Sequence, residues 1–188
     1  MKSITIVSCL LVLLSSLFSE IGELKFKPEE FDDSTYVIKY YSDTSDFKDP
    51  IDNNSQSYNY EIREKHGKYQ MRYILFKQTG EIDESEYNVQ TAMWAWMVIA
   101  NITGSDEKAD NTSAFSEADV KAEFNADLGY TNFSVDIETD YASEYKYIMI
   151  NFFCKKDLGI MCHTVQFNDL EWVKTEEFLN IFHSFNFY

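Results

Sequence analysis

The sequence predicts an α+β fold: a single-domain sandwich in which a mainly antiparallel sheet, built from two hairpins, is covered by about three helices. Two stretches, 58–77 and 145–168, are rich in β-branched and aromatic residues, and each is centred on a turn. Three stretches, 83–101, 116–128 and 169–184, place apolar residues at helical spacing. Strands joined by hairpins are antiparallel, and such a sheet buries its apolar face under helices.

The first hairpin alternates apolar and polar residues around a turn at His66 and Gly67, with Lys65 opposite Lys68. This register predicts an apolar face of Tyr58, Tyr60, Ile62, Tyr69, Met71, Tyr73 and Leu75. It predicts a polar face of Asn59, Glu61, Arg63, Gln70 and Arg72, with Glu61 facing Arg72. We expect the polar face to lie in solvent. Its basic residues are interpreted either as a functional patch or as partners for the molecule's own acids.

The second hairpin carries two cysteines placed symmetrically about Leu158. Facing Cys154 with Cys162 leaves the three-residue loop 157–159, whose last residue, Gly159, suits the left-handed position of such a loop. Facing residues on paired strands are close enough for a disulfide. The sequence therefore predicts a Cys154–Cys162 bridge, and the alternative is two free buried thiols.

The helix predicted over 83–101 begins with capping-box spacing between Asp83 and Glu86. Its predicted buried stripe consists of Val89, Ala92, Met93, Trp96, Met97 and Ala100. Further apolar residues broaden that stripe, so burial on more than one side is expected. A strand over 94–103 is the alternative reading of the same residues.

The second helix is predicted to begin after the N-cap Ser116, to bury Val120, Phe124 and Leu128, and to stop at Gly129. The last helix, 169–184, is predicted to turn four apolar residues inward: Val173, Phe178, Leu179 and Phe182. Short strands are predicted at 35–41, at 131–140 and at the tail, 185–188. The expected order is β, hairpin, α, α, β, hairpin, α, short β.

The N-terminus has the pattern of a secretory signal peptide over residues 1–19, followed by one domain over 20–188. Lys2 supplies the positive charge at the start of the signal. The apolar core runs from Ile4 to Leu14, and serines follow it in the expected cleavage region. An uncleaved anchor is the alternative, although this core is shorter than the roughly 20 residues of a spanning helix. We therefore expect a protein that is secreted or held in the lumen of the secretory pathway, with no later transmembrane segment.

The chain is strongly acidic, with 32 Asp and Glu residues against 16 Lys and Arg residues and a formal net charge of −16. This charge makes nucleic acid and anionic lipid surfaces poor partners. The acids do not have the spacing of a calcium-binding loop. Four N-x-S/T sequons are candidate glycosylation sites: Asn53, Asn101, Asn111 and Asn132.

The end of the chain, FLNIFHSFNF, combines a helix with a Ser-Phe-x-Phe ending. It resembles the end of the small sandwich domains typified by the photosystem oxygen-evolving subunit and the Ran-binding protein Mog. The resemblance covers about the last third of the chain and is an analogy at the level of fold. It implies a binding or assembly role without catalysis, because that group consists mostly of such proteins.

No catalytic motif, metal-ligand spacing or phosphate loop is present in the sequence, so no cofactor is predicted. The leading hypothesis is a secreted or lumenal binding protein without enzymatic activity, whose partner is an unknown protein. The alternatives are a carrier of a small apolar ligand and a secreted hydrolase. The predicted binding residues are aromatic: Tyr58, Tyr60, Tyr73, Trp94 and Trp96.

Overall fold

The computed structural model describes residues 24–26, 36–40, 58, 60–77, 84–137, 139–156 and 158–187. The predicted signal peptide and Asn53 lie outside these residues. The described strands are β1 (Leu24–Phe26), β2 (Tyr36–Tyr40), β3 (Tyr60–Glu64), β4 (Tyr69–Lys77), β5 (Ser113–Ala114), β6 (Leu128–Val135), β7 (Tyr147–Lys155), β8 (Gly159–Phe167) and β9 (Phe185–Phe187). The described helices are α1 (Glu84–Thr103), α2 (Asp106–Ala109), α3 (Glu117–Phe124) and α4 (Glu176–Phe182), with a 3-10 helix at Leu170–Lys174.

The predicted α+β class is confirmed. The main sheet has the strand order β2-β3-β4-β8-β7-β6-β5, and every neighbouring pair in it is antiparallel. Helix α1 packs on one face, while α3, α4 and β9 pack on the other. The tail forms the predicted short strand, β9, which pairs with β1 in a separate two-stranded ribbon.

The sheet has a hydrophobic core on each face because successive strand residues point to opposite sides. The side of the sheet that α1 covers contributes Ile74, Ile148, Ile150, Phe152 and Cys162. The opposite face contributes Met71, Tyr73, Phe153, Met161, Val165 and Phe167, which pack against the aromatic and aliphatic side chains of α3, α4 and β9. Most of the aromatic residues that the structure describes therefore lie in, or pack against, these two cores.

The register predicted for the first hairpin is confirmed, since Glu61 pairs with Arg72 across β3 and β4. The prediction that this polar face lies in solvent is wrong. Glu61 and Gln70 are buried because residues distant in sequence cover this end of the sheet, and Tyr58 and Tyr141 lie against Arg72. A polar strand face can be buried where its charges and amides are paired.

The register predicted for the second hairpin is wrong. Cys154 pairs with Ile160 and Phe152 pairs with Cys162, so the cysteines are diagonal neighbours and both are free thiols. The turn begins one residue earlier than predicted because Leu158 N–H donates to the Lys155 carbonyl and Lys156 N–H donates to the Asp127 carboxylate. Gly159 still takes a positive φ of 143°, but as the first residue of β8.

Helix α1 forms, which excludes the alternative strand over 94–103, but the predicted buried stripe is wrong. Val98 and Ile99, which were expected to broaden the stripe, are buried as predicted, and the other buried side chains of the helix are Tyr87, Thr91, Ala95, Ile102 and Thr103. The small side chains of Thr91 and Ala95 let the helix approach the strands. Val89, Met93 and Met97, which the periodicity placed inside, are exposed.

Two further helices end differently from the predictions. Helix α3 is capped as expected, with Asp119 N–H donating to Ser116 Oγ, but it stops at Asn125, which takes the left-handed conformation with φ 50°. The predicted last helix is divided at Thr175 into the 3-10 helix and α4. In α4, Ile181 is buried and Leu179 is exposed, the reverse of the prediction for Leu179.

The strand predicted over 131–140 is observed as β6, Leu128–Val135, which takes in Leu128 and Gly129 instead of leaving them at the end of a helix. Phe133 and Val135 of β6 are partly exposed. Ile137, just after the strand, packs against the hydrophobic core between α1 and the sheet. Within the described part of the chain, no helix combines the length and apolar character of a membrane-spanning segment.

Gly129 is required by close packing. A Cβ atom at this position would lie 2.8 Å from Val120 Cγ2 and 3.0 Å from Phe115 Cδ2. We expect Gly129→Ala to lower the free energy of unfolding by about 1–3 kcal/mol, as overpacked cores generally do. Urea denaturation measures this loss. The double variant Gly129→Ala with Val120→Ala makes room for the new methyl group, so its loss is expected to be smaller than the sum of the two single losses; strict additivity would contradict the packing argument.

Candidate functional site

The structure does not bring the predicted aromatic binding residues together. Tyr73 is fully buried on the face covered by α4 and β9, where its hydroxyl lies 2.6 Å from Ser184 Oγ. Tyr58, Trp94 and Trp96 lie on the opposite face, at the α1 core. The backbone of Tyr60 pairs with Tyr73 in the sheet. A single site made of all five residues is therefore excluded by the two-faced architecture.

Trp94 packs α1 against the sheet, and Trp96 binds it to the segment that follows α2. The Trp94 ring makes edge contacts with Phe76, at a centroid distance of 3.9 Å, and with Phe152, at 6.1 Å. Trp96 Nε1 donates to Asp110 Oδ1 at 2.9 Å, just beyond the end of α2. The two rings are used in packing on different sides of α1, and they do not form a shared platform for a ligand.

Arg72 lies at the centre of a buried polar cluster. Its Nε is 3.0 Å from the carboxylate of Glu61, which is 2% exposed, and its guanidinium lies over the rings of Tyr58 and Tyr141 at 4.4 and 4.6 Å. It also donates to the Tyr141 carbonyl, and burial raises the pKa of the Tyr141 hydroxyl, which lies against Thr164. The cation is therefore neutralised and enclosed by the protein's own groups. This arrangement suits a structural role better than the capture of an anion.

His163 is a fully buried imidazole on the other face. It stacks on Tyr73 at a centroid distance of 4.7 Å and contacts Phe185 at 5.7 Å, and neither ring nitrogen has a hydrogen-bond partner among the residues that the structure describes. Burial lowers the pKa of His163 to about 3, so the ring is neutral at physiological pH. Asn151, its neighbour across β7 and β8, accepts a hydrogen bond from Thr131 Oγ1. Because it is fully enclosed, this imidazole cannot meet a substrate from solvent.

The cysteines are not placed to act as nucleophiles. Burial, with a contribution from Asp127, raises the pKa of Cys154 to about 12, and burial raises that of Cys162 well above its usual range. Both thiols therefore stay protonated at neutral pH. Cys162 lies in the α1 core whereas His163 lies in the opposite one, so this adjacent pair cannot form a thiolate–imidazole pair. Among the described residues, no group of three or more His, Cys, Asp or Glu side chains could hold a metal ion.

The glycosylation candidates are placed unequally. Asn101 is exposed on α1, and Asn111 is exposed after α2. Asn132 is 1% exposed, and its Nδ2 donates to the Lys108 carbonyl at 2.8 Å. The amide that would carry a glycan on Asn132 is buried and bonded in this fold, which favours the two exposed candidates over Asn132. Asn101 and Asn111 remain predictions.

The outer side of α1 is the exposed feature that sequence reasoning missed. Val89, Met93 and Met97 follow one another at four-residue spacing on this side, and 61%, 61% and 47% of their surfaces are exposed. We call these three residues the α1 face. Side chains four residues apart on a helix are neighbours, so the α1 face is one continuous apolar stripe.

The α1 face also has no charge. From Tyr87 to Thr103 the chain has seventeen residues and no Asp, Glu, Lys or Arg. At the average of 26% charged residues, seventeen positions would carry about four charges, so this segment is depleted of charge. The signal for the site was present in the sequence as this neutral run. An uncharged exposed apolar stripe containing methionine has the composition of the centre of a protein–protein interface.

Comparisons of this chain with protein-family models, with curated proteins and with solved structures find no match.

Proposed function

We propose that this protein is a secreted or lumenal interaction protein without enzymatic activity, and that its contact surface is the α1 face. The observation that carries the proposal is the exposure of Val89, Met93 and Met97 within the charge-free segment of α1 from Tyr87 to Thr103. Solvent contact with such a stripe is unfavourable. Moving a fully exposed side chain of this size to full burial is worth about 1.5–3 kcal/mol, and these side chains, which are 47–61% exposed, gain about half of that each. A partner that covers the stripe gains this free energy.

The proposed compartment is supported by the signal-peptide pattern at residues 1–19. Free thiols are uncommon in an oxidising compartment, but Cys154 and Cys162 are both fully buried. Their raised pKa values keep them protonated and slow to react. Such thiols are compatible with secretion without forming a bridge.

The proposal is tested by native mass spectrometry of tagged protein purified from its own secretory fraction. We expect the wild-type chain to carry a polypeptide in fixed stoichiometry, either another copy or a different protein, and Met93→Lys to lose it. Leu179→Lys is the matched control, because Leu179 on α4 is another apolar side chain that is 50% exposed. Equal loss in both variants, or a bound mass of only a few hundred daltons, would overturn the proposal; the small mass would indicate the alternative carrier function.

A further inference from the structure

We propose that Asn151 and His163, which face each other across β7 and β8, hold one ordered water molecule inside the protein. The site lies on the side of the sheet opposite α1, where His163 stacks on Tyr73, so it is independent of the α1 face and of the proposed function. The ligand is a neutral molecule that both accepts and donates a hydrogen bond, and water is the smallest such molecule.

A row of polar side chains crosses the sheet at this level. Thr131 of β6 pairs with Asn151 of β7, which in turn pairs with His163 of β8. His163 also pairs with Tyr73 of β4. Facing residues of antiparallel strands point to the same side of the sheet, and their Cβ atoms lie about 4.5–5.5 Å apart. The amide of Asn151 and the imidazole of His163 are therefore close neighbours in the interior.

These two side chains leave three polar atoms without a partner among the residues that the structure describes: Asn151 Nδ2, His163 Nδ1 and His163 Nε2. Both residues are 0% exposed, so bulk solvent does not reach these atoms. The other amide atom, Asn151 Oδ1, accepts a hydrogen bond from Thr131 Oγ1 at 2.8 Å. Buried polar atoms are nearly always paired with the protein or with ordered water, so a group of three unpaired atoms indicates a bound molecule.

The chemistry of the two side chains selects the ligand. Asn151 Nδ2 carries only donor hydrogens, so it needs an acceptor. Burial lowers the pKa of His163 to about 3, so the ring is neutral and one of its nitrogens is an acceptor that needs a donor. Water meets both needs, because its oxygen accepts from the Asn151 amide while one of its hydrogens is donated to the ring. An anion would leave the ring acceptor unpaired, and a cation would be repelled by the amide hydrogens.

The surroundings of the ring define where the water lies. Tyr73 stacks on the His163 ring at a centroid distance of 4.7 Å and an interplanar angle of 21°, so the water lies at the edge of the ring, where the nitrogens are. Two hydrogen bonds of about 2.7–3.2 Å each let one water join polar atoms about 5–6 Å apart, a separation within reach of facing side chains. Buried sites that stay dry are apolar, whereas polar sites of this kind hold water.

The first test is NMR of the full chain labelled with nitrogen-15, in which the nuclear Overhauser effect (NOE) between water and the asparagine side-chain amide protons is measured at pH 7. We expect the Asn151 amide to show the NOE of a long-lived bound water. Asn132 is the matched control, because its buried Nδ2 donates to the Lys108 carbonyl at 2.8 Å and also lies near a hydroxyl, 3.4 Å from Thr112 Oγ1. Its amide is expected to show no such NOE.

Two results of this experiment would overturn the water site. One is the absence of the NOE at Asn151. The other is an equal NOE at Asn151 and Asn132, since the signal would then come from the exchanging hydroxyl protons of the neighbouring threonines. Thr131→Val removes the hydroxyl beside Asn151, and the NOE at Asn151 is expected to persist in this variant.

The second test is a high-resolution crystal structure of wild type and of Asn151→Leu. In wild type we expect an electron-density peak within about 2.7–3.2 Å of both the Asn151 amide and a His163 ring nitrogen. In Asn151→Leu, which keeps a side chain of similar size without the donor, we expect the peak to be lost. The wild-type structure is decisive by itself: a direct hydrogen bond between Asn151 and His163 with no peak between them would overturn the proposal.

Discussion

Replacing Arg72 by methionine is expected to lower the free energy of unfolding by about 3–5 kcal/mol, the range observed when one partner of a buried ion pair is removed. The carboxylate of Glu61 is 2% exposed, and the substitution takes away the guanidinium that lies 3.0 Å from it. The rings of Tyr58 and Tyr141 lose their cation contacts at the same time. Urea denaturation followed by tryptophan fluorescence measures the loss.

Arg63 provides the matched control, because it lies on the same face of the same hairpin. Its charged partner, Glu144, has a side chain that is 64% exposed and an Oε2 atom 3.0 Å from Arg63 Nη1. Arg63 Nε also donates to Gln70 Oε1 at 2.8 Å, so Arg63→Met removes one neutral hydrogen bond together with the exposed ion pair. Exposed ion pairs contribute about 0–1 kcal/mol, so Arg63→Met is expected to cost much less than Arg72→Met. Equal losses in the two variants would show that burial of the Arg72 pair is unimportant.

A double variant separates the cost of an unpaired charge from the loss of packing. Replacing both Glu61 and Arg72 by methionine removes the buried carboxylate together with its cation. Substitution of a buried ion pair by apolar residues of similar size is often close to neutral. We therefore expect the double variant to recover most of the stability that Arg72→Met loses; no recovery would place the effect in the contacts of Arg72 with the two tyrosines.

The two hairpins show which parts of the fold were predictable. In the first, the alternation of residues and the turn at Gly67 define a single register, and Glu61 pairs with Arg72 as predicted. In the second, cysteine symmetry indicated one register, but a distant side chain, Asp127, accepts a hydrogen bond from Lys156 N–H and the turn forms one residue earlier. Local pattern predicts a register well until a tertiary hydrogen bond competes with it.

Burial was the quantity that local pattern predicted least well. The polar face of the first hairpin is covered by Tyr141, which lies 69 residues from Arg72 in the chain, and no local pattern contains that information. Helix α1 has apolar residues on several sides, so periodicity alone could not select the side that meets the sheet. The side it favoured is the exposed one, and the α1 face was missed as a contact surface for that reason.

Acidification is expected to destabilise the protein through His163. Burial lowers its pKa to about 3 in the folded state, from the ordinary value of 6.5. Below pH 6.5 the unfolded chain binds a proton at this imidazole and the folded chain does not, so stability falls as the pH drops from 6.5 toward 3. Titration of this group makes the free energy of unfolding roughly 3 kcal/mol smaller at pH 4 than at pH 7, because each unit of pH between the two pKa values changes it by about 1.36 kcal/mol.

The variant His163→Leu isolates this effect from the titration of the many carboxylates. Leucine is uncharged at every pH. The free energy of unfolding of the variant, measured relative to wild type, is therefore expected to rise by roughly 3 kcal/mol as the pH is lowered from 7 to 4. Tyr73→Phe is the control, because it keeps the imidazole and removes only the hydroxyl of the ring stacked on it. Urea denaturation at pH 7, 5.5 and 4 compares the three proteins. Parallel pH profiles for wild type and His163→Leu would show that the imidazole is protonated in the folded protein, and the enclosed position of His163 between Tyr73 and Phe185 would then be wrong.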